Sequence, residues 1–222
     1  MATHYKIHPD NPQIDRIVKL SEALHNGAVM LYPTDTVYAI GCDLNVKSAV
    51  QRVRQIKQFS NDKPLTFLCS SLSTISQYAY VTDSAYRVIK RLIPGPFTFL
   101  LPATKLVPRL VMAPKRKTTG IRVPNNSICL ALIEAIGNPI ISTSATTPFT
   151  PDDTRVSQAE LFDQFERLVD VIIDDDQPVG YECSTIIDLQ RDVPIVVRKG
   201  LGWDQVADWM TVEPIEPVLG LS

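Results

Sequence analysis

The chain has 222 residues, of which 22 are basic and 24 acidic, 45% are apolar and 21% are charged, for a net charge of −2. A length near 220 suits one large domain or two small ones, and this composition excludes a disordered chain. Apolar runs such as Ala28–Tyr32 and Phe97–Leu101 fall far below the roughly 20 residues of a membrane span.

Taken in chain order, Asn11-Pro12 predicts a helix start, followed by an apolar face of Ile14, Ile17, Val18, Leu20 and Leu24 that Gly27 closes. Ala28–Tyr32 predicts a buried strand stopped by Pro33. Ser48–Lys57 predicts a basic amphipathic helix and Leu65–Cys69 a second core strand. Ala85–Leu92 predicts a helix ended by Pro94-Gly95-Pro96. Further strands are expected at Phe97–Leu101, Gly120–Val123, Pro139–Thr143, Val169–Ile173, Thr185–Leu189 and Ile195–Arg198. A helix at Ile128–Ile136, closed by Gly137, separates two of them, and Trp203–Met210 predicts a last helix. Strands alternating with helices indicate an α/β or α+β sheet protein; the pattern leaves strand order and parallelism open.

The start, Met1-Ala2-Thr3-His4-Tyr5-Lys6, lacks an apolar signal core. Cys42, Cys69, Cys129 and Cys183 are widely spaced, with no C-x-x-C pair to suggest zinc or redox chemistry. Four free thiols in a reducing cytoplasm are expected. Charge is unevenly spread. Residues 84–133 hold nine bases and no acid, whereas residues 152–222 hold sixteen acids and five bases. A basic middle suits phosphates of a nucleotide or of RNA, or else a solvated loop at Lys115-Arg116-Lys117.

Five polar loops flank the apolar strands. Tyr32–Gly41 packs hydroxyls and a carboxylate directly after a buried strand, as a small polar ligand or a plain capped turn would require. Lys57–Leu65 sets two lysines, Lys57 and Lys63, around a polar turn. Gly120-Ile121-Arg122-Val123-Pro124 places an arginine that is able to grip a carboxylate through two parallel N–H donors. Ser142–Thr147 is a run of hydroxyls. Ser184-Thr185 and Arg198-Lys199-Gly200 form the fifth group. All three histidines, at 4, 8 and 25, lie outside these loops, and G-x-S-x-G, Walker A and G-x-G-x-x-G are absent. Any chemistry therefore rests on positioning and charge neutralisation.

The strings YPTDTVYAIGCD, PGPFTFLLPA, GIRVP, PIISTSA, STIIDL and VVRKG occur in this order. Together they resemble the YrdC/YciO-like family, whose typical activity is threonylcarbamoyl-AMP synthesis. IHPDNPQ and KRKTTGIRVP are most similar to its YciO-like branch. The resemblance spans about Tyr5 to Gly202. It implies a single α/β domain over residues 1–210 with a C-terminal tail, 211–222, and no extra C-terminal domain. It also implies a twisted mixed sheet flanked by helices, with a positively charged cavity on one face. The implied reaction joins L-threonine, bicarbonate and ATP, with any Mg²⁺ carried by the ATP phosphates and no metal held by the protein. A partner complex then transfers the carbamoyl group to an adenosine of tRNA.

By that resemblance, Thr36, Arg122, Ser142 and Thr185 would hold threonine, with Arg122 on its carboxylate. Lys57, Lys63, Thr118, Ser144 and Arg198 would face ATP, Lys57 opening the family's K-x-R motif. Lys57 and Arg122 are the residues assigned to the chemistry. The chain departs from the family at Phe59, where K-x-R has arginine, at Thr146, where S-x-N has asparagine, and at Leu68, which is histidine in some relatives. Losing an arginine on phosphate removes about 1.5–3 kcal/mol of charge-assisted contact, so weak ATP binding is expected. The alternative is a protein that binds tRNA or double-stranded RNA through the basic cavity with the chemistry lost, Phe59 stacking on a base. A third reading is a related carbamoyl- or adenylate-handling enzyme on another substrate. No membrane partner is expected.

Overall fold

In this computed structural model, residues 1–58, 65–112, 117–145 and 155–212 are described. The first helix, α1 (Ile14–His25), starts later than Asn11-Pro12 implies and has Gln13 at its N-cap. The backbone N–H groups of Asp10 and Asn11 both donate to His8 Nδ1 at 3.2 Å, which folds this segment as a turn. The expected apolar face is also corrected. Ile14 is 80% exposed and Val18 45%, while Ile17, Leu20, Ser21 and Leu24 are buried. Gly27 does end the helix, with a left-handed φ of 93°.

The strands are β1 (Thr3–Lys6), β2 (Met30–Tyr32), β3 (Ala39–Asp43), β4 (Thr66–Leu68), β5 (Phe97–Pro102), β6 (Thr118–Arg122), β7 (Ile140–Ser144), β8 (Val171–Asp174), β9 (Thr185–Asp188), β10 (Ile195–Arg198) and β11 (Thr211–Val212). They form one mixed sheet in the order β1-β8-β2-β3-β7-β4-β6-β5-β9-β10-β11. Chain neighbours β2 and β3 pair antiparallel, and β7 then inserts between β3 and β4. The expected tail boundary at 210 falls just before β11, which pairs with β10; residues 213–222 lie outside the described region.

The other helices are α2 (Lys47–Ile56), α3 (Leu72–Tyr78), α4 (Asp83–Leu92), α5 (Ser127–Ile136) and α6 (Gln158–Phe165). One sheet face, with Ile40, Phe67, Phe99, Ile121 and Ile141, packs against apolar residues of α2, α3, α4 and α6. The opposite face, with Met30, Tyr32, Ala39, Leu68 and Ile140, packs against α1 and α5. Alternation of side chains along each strand produces this split. The expected helix Trp203–Met210 is a single 3₁₀ turn, Trp203–Gln205, followed by turns that bury Val206 and Met210. The fold is a single mixed α/β domain.

Candidate functional site

The cross-strand register lays a row of small and hydroxyl residues across the sheet centre. Gly41 of β3 lies opposite Ser142 of β7, Ser142 opposite Thr66 of β4, and Thr66 opposite Gly120 of β6. Thr118 and Arg122 flank Gly120 at the same alternation, and Ser144 follows Ser142. Four of the residues singled out in the sequence thus share one face of neighbouring strands. The phenol of Tyr32 donates to Ser142 Oγ at 2.6 Å and is held far above its ordinary pKa by burial.

Arg122 is only 6% exposed, and three of its donor atoms are engaged. Nη1 donates to Thr36 Oγ1 at 2.8 Å, Nη2 to Asp35 Oδ1 at 2.6 Å and Nε to the Gly95 carbonyl at 3.4 Å. The Thr34 hydroxyl spends its one proton on the Val37 carbonyl at 2.7 Å and accepts the Thr36 N–H. At the 3.0 Å contact between the two hydroxyls, Thr36 is therefore the donor, which leaves its oxygen free to accept from Arg122. The loop Pro33–Tyr38 is thereby tied to β6. The other oxygen of Asp35, Oδ2, is buried without a hydrogen bond.

Lys57 closes α2, and its ammonium donates to the Ser144 carbonyl at 3.1 Å. Arg198 donates from Nε and Nη2 to the Ser184 carbonyl, at 3.1 and 2.8 Å, and from Nη2 to Ser184 Oγ at 3.2 Å. Burial lowers its pKa, the neighbouring Cys183 sulfur opposes this, and repulsion from Arg122 adds a smaller lowering. Thr185 is buried, and its hydroxyl meets the Gly200 and Leu201 carbonyls at 2.8 and 3.0 Å. Thr118 is buried on β6. Lys63, Phe59, Thr146, Lys115 and Arg116 lie outside the described residues. Leu68 is buried on β4 opposite Arg122.

Asp35, Tyr32 and Ser184 stand in the polar loops noted in the sequence, which assigned none of them a ligand role. Asp35 carried a signal, as the one carboxylate between two threonines in the loop after the first buried strand. The role of Ser184 was not readable, because its bonds to Thr98 Oγ1 at 2.8 Å and to Arg198 exist only in the folded sheet. Among the described residues no helix is long and apolar enough to cross a membrane.

The Sua5/YciO/YrdC family model, described as telomere recombination, matches residues 22–200. The uncharacterized protein YciO of Escherichia coli is 42% identical over 205 residues, covering 91% of this chain and 97% of that protein. Its crystal structure superposes with a TM-score of 0.84. The threonylcarbamoyl-AMP synthase of Pyrococcus abyssi is 31% identical over 199 residues, covering 89% of this chain and 55% of that enzyme. The crystal structure of P. abyssi Sua5 complexed with L-threonine matches with a TM-score of 0.85 at 26% identity, covering 96% of this chain and 63% of that one. A mixed α/β domain with a hydroxyl-lined sheet face and a buried arginine, matched along most of its length, belongs to the Sua5/YciO/YrdC family, which includes the threonylcarbamoyl-AMP synthases.

Proposed function

We propose that the chain is a threonylcarbamoyl-AMP synthase-like enzyme acting on L-threonine, bicarbonate and ATP in tRNA modification. The observation that carries this reading is the buried guanidinium of Arg122, already matched by a carboxylate, that of Asp35, and a hydroxyl, that of Thr36. A threonine carboxylate requires a guanidinium of this kind, with parallel N–H donors. The relative of known ligand, P. abyssi Sua5 with L-threonine, supports the choice of amino acid.

In this reading Thr36, Arg122, Ser142 and Thr185 surround threonine, and Lys57, Lys63, Thr118, Ser144 and Arg198 surround ATP. The threonine amine and bicarbonate give a carbamate with loss of water. A carbamate oxygen attacks the α-phosphorus of ATP and pyrophosphate leaves. Lys57 and Arg198 neutralise phosphate charge, which is the main demand of in-line phosphoryl displacement. Mg²⁺ travels on the ATP phosphates, and a transfer complex carries the product to tRNA. The cytoplasm is the proposed location, in keeping with four cysteines that form no disulfide.

A second reading, an RNA-binding protein without the chemistry, is favoured by the outer face of α4, where Tyr86, Arg87, Lys90 and Arg91 are all exposed. Pyrophosphate release from ATP, with threonine and bicarbonate omitted in turn, separates the two. Release that needs both supports the synthase. Salt-sensitive RNA binding without release supports the second reading.

A further inference from the structure

Tyr32 ends β2 and is fully buried, yet its hydroxyl reaches Ser142 of β7, two strands away, at 2.6 Å. Between them runs β3, and the residue of β3 opposite Ser142 is Gly41. A Cβ on Gly41 would fall 2.9 Å from Tyr32 Cε1 and 2.7 Å from the Ile141 carbonyl oxygen. The missing side chain is what lets the phenol ring lie across β3. Register and alternation put Tyr32, Gly41, Ser142 and Arg122 on one face of the sheet.

A phenol has one proton to donate. Burial holds the Tyr32 hydroxyl well above its ordinary pKa, so it stays protonated and gives that proton to Ser142 Oγ. The serine's own proton then meets no acceptor among the described residues. Ser142 is only 6% exposed, and a hydroxyl proton withdrawn from water and left unspent is costly. An acceptor oxygen on a bound molecule would spend it. An N–H group on that molecule would instead need the serine oxygen, which already accepts the phenol, and would leave the serine proton idle. The guanidinium of Arg122, which also only donates, shares this face.

We propose that Tyr32 is a positioning residue that reaches across Gly41 and fixes Ser142 as a hydrogen-bond donor, so that Ser142 meets a carboxylate oxygen of the amino acid and not its ammonium. This rests on the synthase reading, which sets an amino acid against Ser142. Tyr32 itself touches no ligand. It acts by occupying the serine oxygen, which turns a group able to donate or accept into one that selects for an acceptor.

The test is calorimetric titration of the full chain with L-threonine and with L-threoninamide, in which an N–H donor replaces one acceptor oxygen. Wild type prefers threonine. Tyr32→Phe keeps the ring and removes only the hydroxyl, and it should narrow that preference by about threefold to tenfold, the worth of one hydrogen bond. Arg122 contributes to the preference in both chains, so the narrowing isolates the serine. Ser142→Ala should narrow it to the same extent, and Tyr32→Phe added to Ser142→Ala should narrow it no further. The double variant leaves no stranded phenol and replaces Ser142→Ala should that chain fail to fold. A purely structural role for Tyr32 weakens both ligands alike and leaves the preference unchanged. A second readout needs no ligand. In the NMR spectrum of the free chain the Tyr32 hydroxyl proton, identified by its loss in Tyr32→Phe, should exchange slowly with water. The proposal is overturned if that proton exchanges rapidly, if Tyr32→Phe keeps the wild-type preference, or if the effects of the two substitutions add. Failure confined to Tyr32→Phe removes the donor role and leaves the synthase reading. A wild type that shows the slow proton and binds neither ligand overturns the synthase reading, and the donor role with it.

Discussion

Arg122 and Asp35 meet at 2.6 Å with both side chains nearly withdrawn from solvent. Removing one member of such a pair strands the other. Arg122→Ala should therefore lose about 3 kcal/mol of stability, read from the urea midpoint, and Asp35→Asn in the same chain should recover part of it. On ligands, the variant should weaken threonine by about 2–4 kcal/mol and a non-hydrolysable ATP analogue much less. Equal losses for both ligands would count against the carboxylate grip. Asp175 gives a pH-dependent counterpart. Its folded pKa is raised, chiefly by burial, so between its ordinary value and the raised one the native state binds more protons than the unfolded state. Stability from this group is present at low pH and declines as pH rises through that window. Asp175→Asn keeps an acceptor for Tyr38 and does not ionise. Its stability relative to wild type should increase from pH 4 to pH 7 in paired denaturation curves, and a flat difference would contradict the sign.

Among the elements, long periodic segments were readable and short polar ones were not. Ile195–Arg198 lies where the sequence put it, α2 is shifted by one residue, and α5 starts one residue earlier and ends as expected. By contrast β3 was hidden inside a loop reading, because Ala39–Asp43 is buried on both faces and shows no alternation. The edge strand β1 is polar, and only its pairing with β8 makes it a strand. Helix α6 was missed although Ser157 and Glu160 form a capping box visible in the sequence as S-x-x-E. The candidate site was readable as loops but not as a face, since the row Gly41, Ser142, Thr66, Gly120 comes from strand order that crosses the chain. One loop contact depends on a missing side chain. A Cβ on Gly180 would fall 1.7 Å from the Thr36 carbonyl oxygen. Gly180→Ala must push this segment off the Pro33–Tyr38 loop, disturbing the Thr36 hydroxyl that Arg122 uses. Threonine affinity should drop tenfold or more, about 1.4 kcal/mol, with the ATP analogue less affected. Calorimetry on both ligands checks it, and unchanged threonine binding would remove Thr36 from the site.

At the scale of the whole molecule, the net charge of −2 conceals bases placed on different layers. In the sequence the uninterrupted basic segment 84–133 suits phosphates or a solvated loop. In the fold its described members separate. Arg122 is buried on the sheet, whereas Arg87, Lys90, Arg91, Lys105, Arg109 and Lys117 are exposed. Helix α4 buries Ala85, Val88, Ile89 and Leu92 against the sheet face that carries Ile121, and Arg122 alternates to the other face. Arg91 stacks on the Trp209 ring at 4.6 Å, so Arg87 and Lys90 are the cleaner probes of that surface. The α4 bases are exposed to salt, which screens them over a Debye length of about 8 Å at physiological strength, and α4 packs on the sheet face opposite Arg122. The double change Arg87→Ala with Lys90→Ala should leave ATP-analogue and threonine affinities within twofold of wild type. If the α4 face meets RNA, the same variant should bind single-stranded RNA more weakly and lower the salt slope by about 1.4, roughly 0.7 for each lost phosphate contact. A large loss of ATP affinity in this variant would mean that the α4 bases reach the cleft, and that the separation of charge by layers is wrong.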